Sequence, residues 1–304
     1  MRLRHHIKDH NKPEFTTALE KLGIRYKSKR IDGTEETPAW NCFDLLVYDD
    51  DPKWPTLRAL VEQHGVRVWH SPIFTSEDVL SAPWLFAHAT ADAGYPQPEN
   101  DFEYLSAVFN TANCCERCSI GKIQVNPFRL RAEPKNERAH FFAPQWAHQT
   151  VFARHEVRDV FKAEGVSGLQ YLPPLKHQTG APLQSIVQLF PTTTLPHGLV
   201  TAVQEQVICS AHDKEMRSIL TITERRGTGG YGYCGRIKYH VPYKKRLIHY
   251  SRAAFVRSPD IALSAEWYGS GGAASQQVIV SNKVARLVLG NGWKGLELEP
   301  IELV

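Results

Sequence analysis

The stretch CCERCSIGK puts Cys115 and Cys118 in C-x-x-C spacing, with Cys114 beside them. A turn of this length aims two sulfurs at one point, which is half of a tetrahedral zinc site. Thiol–disulfide chemistry uses the same spacing, but there the first cysteine opens a helix after a strand. The residues that follow, SIGKIQVNPFRL, read as turn and strand, so zinc ranks above redox. A second cysteine–glycine turn lies in YGYCGRIKYH, where Tyr231 stands in the place of a first cysteine ahead of Cys234 and Gly235. Cys209, in VICSAHDKE, is the most economical fourth ligand, with His212 and His240 as substitutes. The expected centre is therefore Cys115, Cys118, Cys209 and Cys234 around zinc, against the alternative of buried thiols that bind no metal.

Other reactive types do not assemble into catalytic sets. There is no G-x-S-x-G elbow and no H-E-x-x-H, and His5, His6 and His10 have no partner at ligand spacing. The expectation is a protein that is not an enzyme. Asp260 and Glu266 near YGSGGAAS lack the Gly-Lys-Ser/Thr of a phosphate loop, so that segment reads as a turn. Asp49, Asp50 and Asp51 read as a strand end and helix cap before they read as a cation site. The segment RIKYHVPYKKRLIHYSR, over residues 236–252, alternates basic and aromatic residues. It reads as a hairpin turning at PYKKR, and its rings and cations would suit a single-stranded nucleic acid.

These residues need elements to hold them. A duplication supplies a framework. GVSGLQYLPPL begins at Gly165 and GWKGLELEPIEL at Gly292, and Val157, Val160 and Phe161 precede Val284, Leu287 and Val288 by the same 127 positions. Each copy reads as an amphipathic helix, a glycine stop, a short strand and a proline that ends it. Val160 and Leu287 are expected in the core. Residues 1–75 alternate as βαββαβ, the order of a ferredoxin-like unit, with Phe15, Leu19 and Leu22 inward on one helix and Leu57, Leu60 and Val61 on the other. FTSEDVLSAPWL offers a capping box, and AGYPQPEN reads as a linker. The expected fold is α+β, with domains over 1–90, 101–199 and 200–304, the last two being the halves of the duplication and carrying a zinc-ribbon-like knuckle.

The chain has 304 residues, a net charge of +4 and 42% hydrophobic content, enough for real cores and only mildly basic. No apolar run is long enough to span a membrane, and MRLRHHIKDH lacks a secretory core, so the expected location is the cytoplasm, where thiols stay reduced. The C-x-x-C with a nearby glycine, the helix ending in GVSGLQYLPP, the second cysteine–glycine turn and the terminal GWKGLELEPIEL together resemble the double-CXXCG motif immunity proteins. That bacterial cytoplasmic family protects a cell against a toxin delivered by its kin. The resemblance covers roughly residues 100–304 and implies zinc-ribbon-like sites at Cys115, Cys118 and Cys234. It departs from the motif where Gly121, not a glycine directly after Cys118, follows the first pair. The expected function is to bind and neutralise a cognate protein toxin. The alternative is a zinc-ribbon nucleic-acid-binding protein using the basic hairpin.

Overall fold

A computed structural model of the chain describes residues 2–10, 12–32, 40–115, 118–147, 149–200, 206–209, 234–239, 248–269 and 274–304. The described residues form two units, the first ending at Thr75 and the second beginning at Ser76. Strands outweigh helices in a mixed α+β architecture. No described helix is long and apolar enough to cross a membrane.

In the first unit, β1 (Arg2–His10), α1 (Pro13–Lys21), β2 (Lys27–Ile31), β3 (Trp40–Tyr48), α2 (Trp54–His64) and β4 (Val68–Ile73) follow one another. The sheet order is β2-β3-β1-β4, antiparallel throughout. Period-two alternation puts Ile7, Phe43, Leu45 and Val47 on one face, where Phe15 and Leu19 of α1 and Leu57 and Val61 of α2 pack on them. Leu22, expected inward, caps α1 and is 41% exposed, and Leu60 is half-buried. The three aspartates are used locally. Asp49 accepts from the Leu3 N–H, Asp51 from the Lys53 N–H, and Asp50 pairs with Arg2.

The second unit contains α3 (Ser76–Ser81), β5 (Trp84–Ala89), β6 (Ala91–Asp92), α4 (Tyr104–Val108), β7 (Phe109–Asn110), β8 (Ile123–Gln124), β9 (Arg129–Leu130) and β10 (Phe141–Ala143). The chain continues through β11 (Val151–Arg154), α5 (His155–Ala163), β12 (Leu169–Leu172), β13 (Leu175–Lys176) and β14 (Ile186–Pro191). Then come β15 (Gln206–Ile208), β16 (Ile237–Tyr239), β17 (Ile248–Tyr250), β18 (Ile261–Tyr268), β19 (Ser275–Ser281), α6 (Asn282–Gly290) and β20 (Leu296–Leu303). Two large sheets result, β12-β14-β11-β10-β6 and β15-β16-β18-β19-β5-β20-β17, with small pairs β7-β8 and β9-β13.

The 127-residue offset runs through both copies. α5 and α6 are nine residues each and start at His155 and Asn282. The strands around them carry the same register. Leu189 of β14 faces Val151 on one side and Tyr171 on the other, while Ala87 of β5 faces Val278 and Leu298. Each copy is thus two parallel strands joined by a helix, with one antiparallel strand slotted between them. Val157 and Phe161, or Val284 and Val288, present an i, i+4 stripe that is buried. Gly165 and Gly292 end the helices at φ of 61° and 65°, a region closed to most side chains.

A second glycine pair has a different reason. A Cβ on Gly168 would strike the Ile261 carbonyl, and one on Gly295 would strike the Phe141 carbonyl. Ile261 donates its N–H to Ser167, and Phe141 donates to Lys294, the residue 127 positions on. Each copy therefore rests its glycine turn on the first strand of the other's hairpin, a reciprocal contact of pseudo-two-fold kind. Phe141 and Ile261, Val151 and Val278, and Leu189 and Ala87 meet around one small interior gap.

Several expectations are corrected. Val160 and Leu287 are half-buried, because the inward stripe runs through Val157 and Phe161, and through Val284 and Val288, to one side of them. Pro300 lies within β20 and pairs with Leu85, since Ile301–Leu303 acquire β17 as a second partner and prolong the strand. The bound at residue 90 and the linker over 90–100 give way to β5 and β6, which pair inside the two large sheets of the second unit. The hairpin over 236–252 does not form among the described residues. β16 pairs with β15 and β18, whereas β17 pairs with β20 at the far edge of the same sheet, with four strands between them. Its turn, residues 240–247, lies outside the described residues.

Candidate metal centre

Two strand pairs carry the four cysteines. β7 and β8 are antiparallel, with Asn110 opposite Ile123, and Cys115 and Cys118 lie in the loop that joins them. β15 and β16 are antiparallel, with Ile208 opposite Ile237, so that Cys209 leaves one strand as Cys234 leads into the other. The backbone hydrogen bonds match residue for residue. The Cys115 N–H donates to Ile120 and the Ser119 N–H to Cys115, while the Cys209 N–H donates to Arg236 and the Gly235 N–H to Cys209. Ser119 and Gly235, each directly after the later cysteine, share the left-handed region at φ of 61° and 67°. Cys115 therefore corresponds to Cys209, and Cys118 to Cys234. The second knuckle is the first with 24 residues in place of two.

That correspondence revises the reading of Tyr231 as the missing ligand's place, since Cys209 fills it. Tyr231, His212 and His240 lie outside the described residues. Cys114 and Cys42 stand apart from the cluster.

The sulfurs fit a tetrahedral ion. The Cys115 and Cys209 sulfurs are 3.8 Å apart, those of Cys118 and Cys234 are 3.7 Å apart, and all four lie within 4.8 Å of one another. A tetrahedron with metal–sulfur bonds of about 2.3 Å has edges of about 3.8 Å. None of the four is in a disulfide, and Cys118 and Cys209 are fully buried. Burial and the neighbouring sulfurs push the Cys118 thiol far up, and burial pushes Cys209 up to about 11. A group of thiols this desolvated ionises only against a cation, which is the service a divalent metal performs.

The surrounding residues fasten one knuckle to the other. The Arg236 guanidinium donates to the carbonyls of Asn113 at 3.1 Å and Ile120 at 3.2 Å. Gly121, at φ of 96°, lets this happen, for a Cβ there would meet the Asn113 carbonyl and the Arg236 guanidinium. Ala274 donates its N–H to Cys118 at 3.2 Å. Sequence reasoning counted Arg236 among nucleic-acid contacts and missed this task; its place two residues after Cys234, matching Ile120 after Cys118, was the available signal. Lys238, from the same basic segment, is fully buried.

Asp260 and Glu266 have separate sets of hydrogen-bond partners. Asp260 accepts from the N–H and hydroxyl of Ser167 and the hydroxyl of Ser281. Glu266 is buried and accepts from the N–H groups of Gly198 and Leu199 and from Tyr250, whose hydroxyl lies 2.7 Å from that of Tyr268. His5 and His70 approach through their Nδ1 atoms at 2.6 Å, with His5 stacked on Trp54. Compared with protein-family models, with curated proteins and with solved structures, the chain matches none.

Proposed function

We propose that the four thiolates hold one zinc ion in a structural role, and that the chain is a cytoplasmic bacterial immunity protein that binds and neutralises a cognate toxin. The observation that carries the metal reading is the pair of superimposable knuckles converging on one tetrahedral set of sulfurs. Four protein ligands close a site, which suits a staple and leaves no position for substrate. Zinc would supply four bonds that join two loops lying about a hundred residues apart in the chain. The toxin-binding reading rests on the resemblance in the duplicated region, now supported by a real repeat in register as well as in sequence. The first unit's strand order also supports a ferredoxin-like reading, a fold that hosts many functions. The nucleic-acid alternative has less support, because Arg236 is committed to carbonyls and Lys238 is buried.

Two measurements test the proposal. Elemental analysis of the purified protein is expected to give one zinc per chain, and any value near zero rejects the metal. Expression beside the toxin encoded by the neighbouring gene is expected to rescue growth and to yield a complex that co-elutes in size exclusion. Failure to protect against that toxin, with zinc present, rejects the immunity role alone.

A further inference from the structure

Beside the knuckle, the second unit opens a cleft of about 330 Å³. It lies between the two copies, with Val151 and Val278 both on its wall. Among its lining residues one side chain is charged, Lys122, and no carboxylate lines it. Nor does any carboxylate among the described residues pair with Lys122. Its ammonium lies over the Phe109 ring at 5.4 Å, and burial lowers it to about 8, against the pull of Cys114 and Cys118 upward. A half-buried cation with no carboxylate partner among the described residues keeps part of its desolvation cost, and a ligand that brings a carboxylate into the cleft lowers it.

The rest of the wall narrows the ligand. Gln124 and Gln188 exchange amide hydrogen bonds at 2.8 Å in both directions, giving a fixed neutral polar edge. Phe109 and Trp267 add flat apolar surface. One positive charge balances a monoanion and leaves a phosphate dianion half compensated. We infer that this cleft binds a small carboxylate with a flat apolar body, the carboxylate on Lys122 and the body against Phe109 and Trp267. A volume of this size is at the small end for such ligands. The inference does not depend on the immunity reading, and it survives if the toxin test fails.

Benzoate, benzamide and inorganic phosphate, titrated calorimetrically into the full chain with its metal, test it. Benzoate is expected to saturate one site, with benzamide at least about tenfold weaker because it lacks the charge. Lys122→Met is expected to weaken benzoate by at least about tenfold, while Lys122→Arg keeps it within a few-fold. The benzoate–benzamide comparison needs no variant and decides the matter should Lys122→Met not fold. The inference is overturned if benzoate shows no saturable binding up to about 10 mM, if benzamide binds as well, or if phosphate binds more tightly. Loss of zinc from Lys122→Met, with no benzoate bound to the unaltered protein, would assign the ammonium to the thiolate centre instead.

Discussion

In the first half of the second unit, His140 pairs with Glu156 at 3.3 Å; at the corresponding place in the second half, Asp260 pairs with Lys283 at 3.9 Å. The carboxylate has changed sides. The same two positions also receive the N–H of the glycine turn from the opposite copy, Lys294 donating to His140 and Ser167 to Asp260. Backbone requirements have stayed fixed between the halves, namely four left-handed glycines, one register and one helix length, while the side chains have moved as pairs. What differs most is the slotted strand. β14 follows its own half, whereas β5 comes from ahead of both. The knuckles show the same rule, since their hydrogen bonds agree although two residues separate the first pair of cysteines and 24 the second. Geometry at the ends of an insertion is what a fold must keep.

Breaking the symmetry of the knuckles should have the largest effect. Structural zinc is worth about 10–16 kcal/mol in small domains, so Cys115→Ala and Cys209→Ala should each abolish zinc binding and cost several kcal/mol. Equal losses from both are expected because the two positions correspond. Cys114→Ala should stay within about 0.5 kcal/mol of the unaltered protein. Zinc content and the denaturation midpoint read this directly, and a tolerant Cys209 would break the correspondence.

Core truncation comes next. Phe161→Ala should cost about 3–5 kcal/mol, more than Val288→Ala in the matching place, while Val160→Ala and Leu287→Ala cost less because both are half-buried. The glycines sharpen the comparison further. Gly168→Ala and Gly295→Ala should each cost about 2–4 kcal/mol, adding left-handed strain to a collision with the opposite copy's backbone. Gly165→Ala and Gly292→Ala, with open space around them, should cost about 1 kcal/mol. Similar costs for all four would dissolve the reciprocal contact.

The smallest effect concerns the carboxylate that has changed sides. Burial raises the Asp260 carboxyl, but the N–H and hydroxyl of Ser167, the Ser281 hydroxyl and Lys283 outweigh it and hold it below the usual range. A depressed folded-state value means stability present above the unfolded value of about 4 and lost as pH falls through the folded one. Asp260→Asn should therefore lower stability at neutral pH, and the difference from the unaltered protein should shrink in acid. A difference that is the same at pH 7 and pH 3 would show that the charge contributes nothing.

Local patterns were legible in the sequence and distant pairings were not. The four cysteines came from spacing and economy, because a knuckle is a local turn and a tetrahedral ion needs four ligands. The helices and glycine stops of both copies were legible because period and φ are local properties. Val160 and Leu287 were placed inward since a helix stripe read from three apolar residues is uncertain by one position. The strand at Trp84–Ala89 gave no sign of its partners, because nothing in a mostly apolar hexamer says which slot it fills. The basic segment was read as a hairpin for the same reason. Alternation marks strands, and only the full sheet shows that β16 and β17 lie toward opposite ends of it.

The origin of β5 also sets an order in time. Ala87 pairs with Val278 and Leu298, so a strand made early must wait for partners encoded about two hundred residues later. At about 5–20 residues per second, the ribosome leaves that strand without them for roughly 10–40 s. The first half meets no such delay, as β14 follows β12 closely enough to close its sheet during synthesis. Folding of the second unit should accordingly begin around β10–β14 and finish only when β19, α6 and β20 arrive to enclose β5. Until then β5 is a strand of five apolar residues and His88 with two open edges, which makes it the part of the nascent chain most in need of a chaperone.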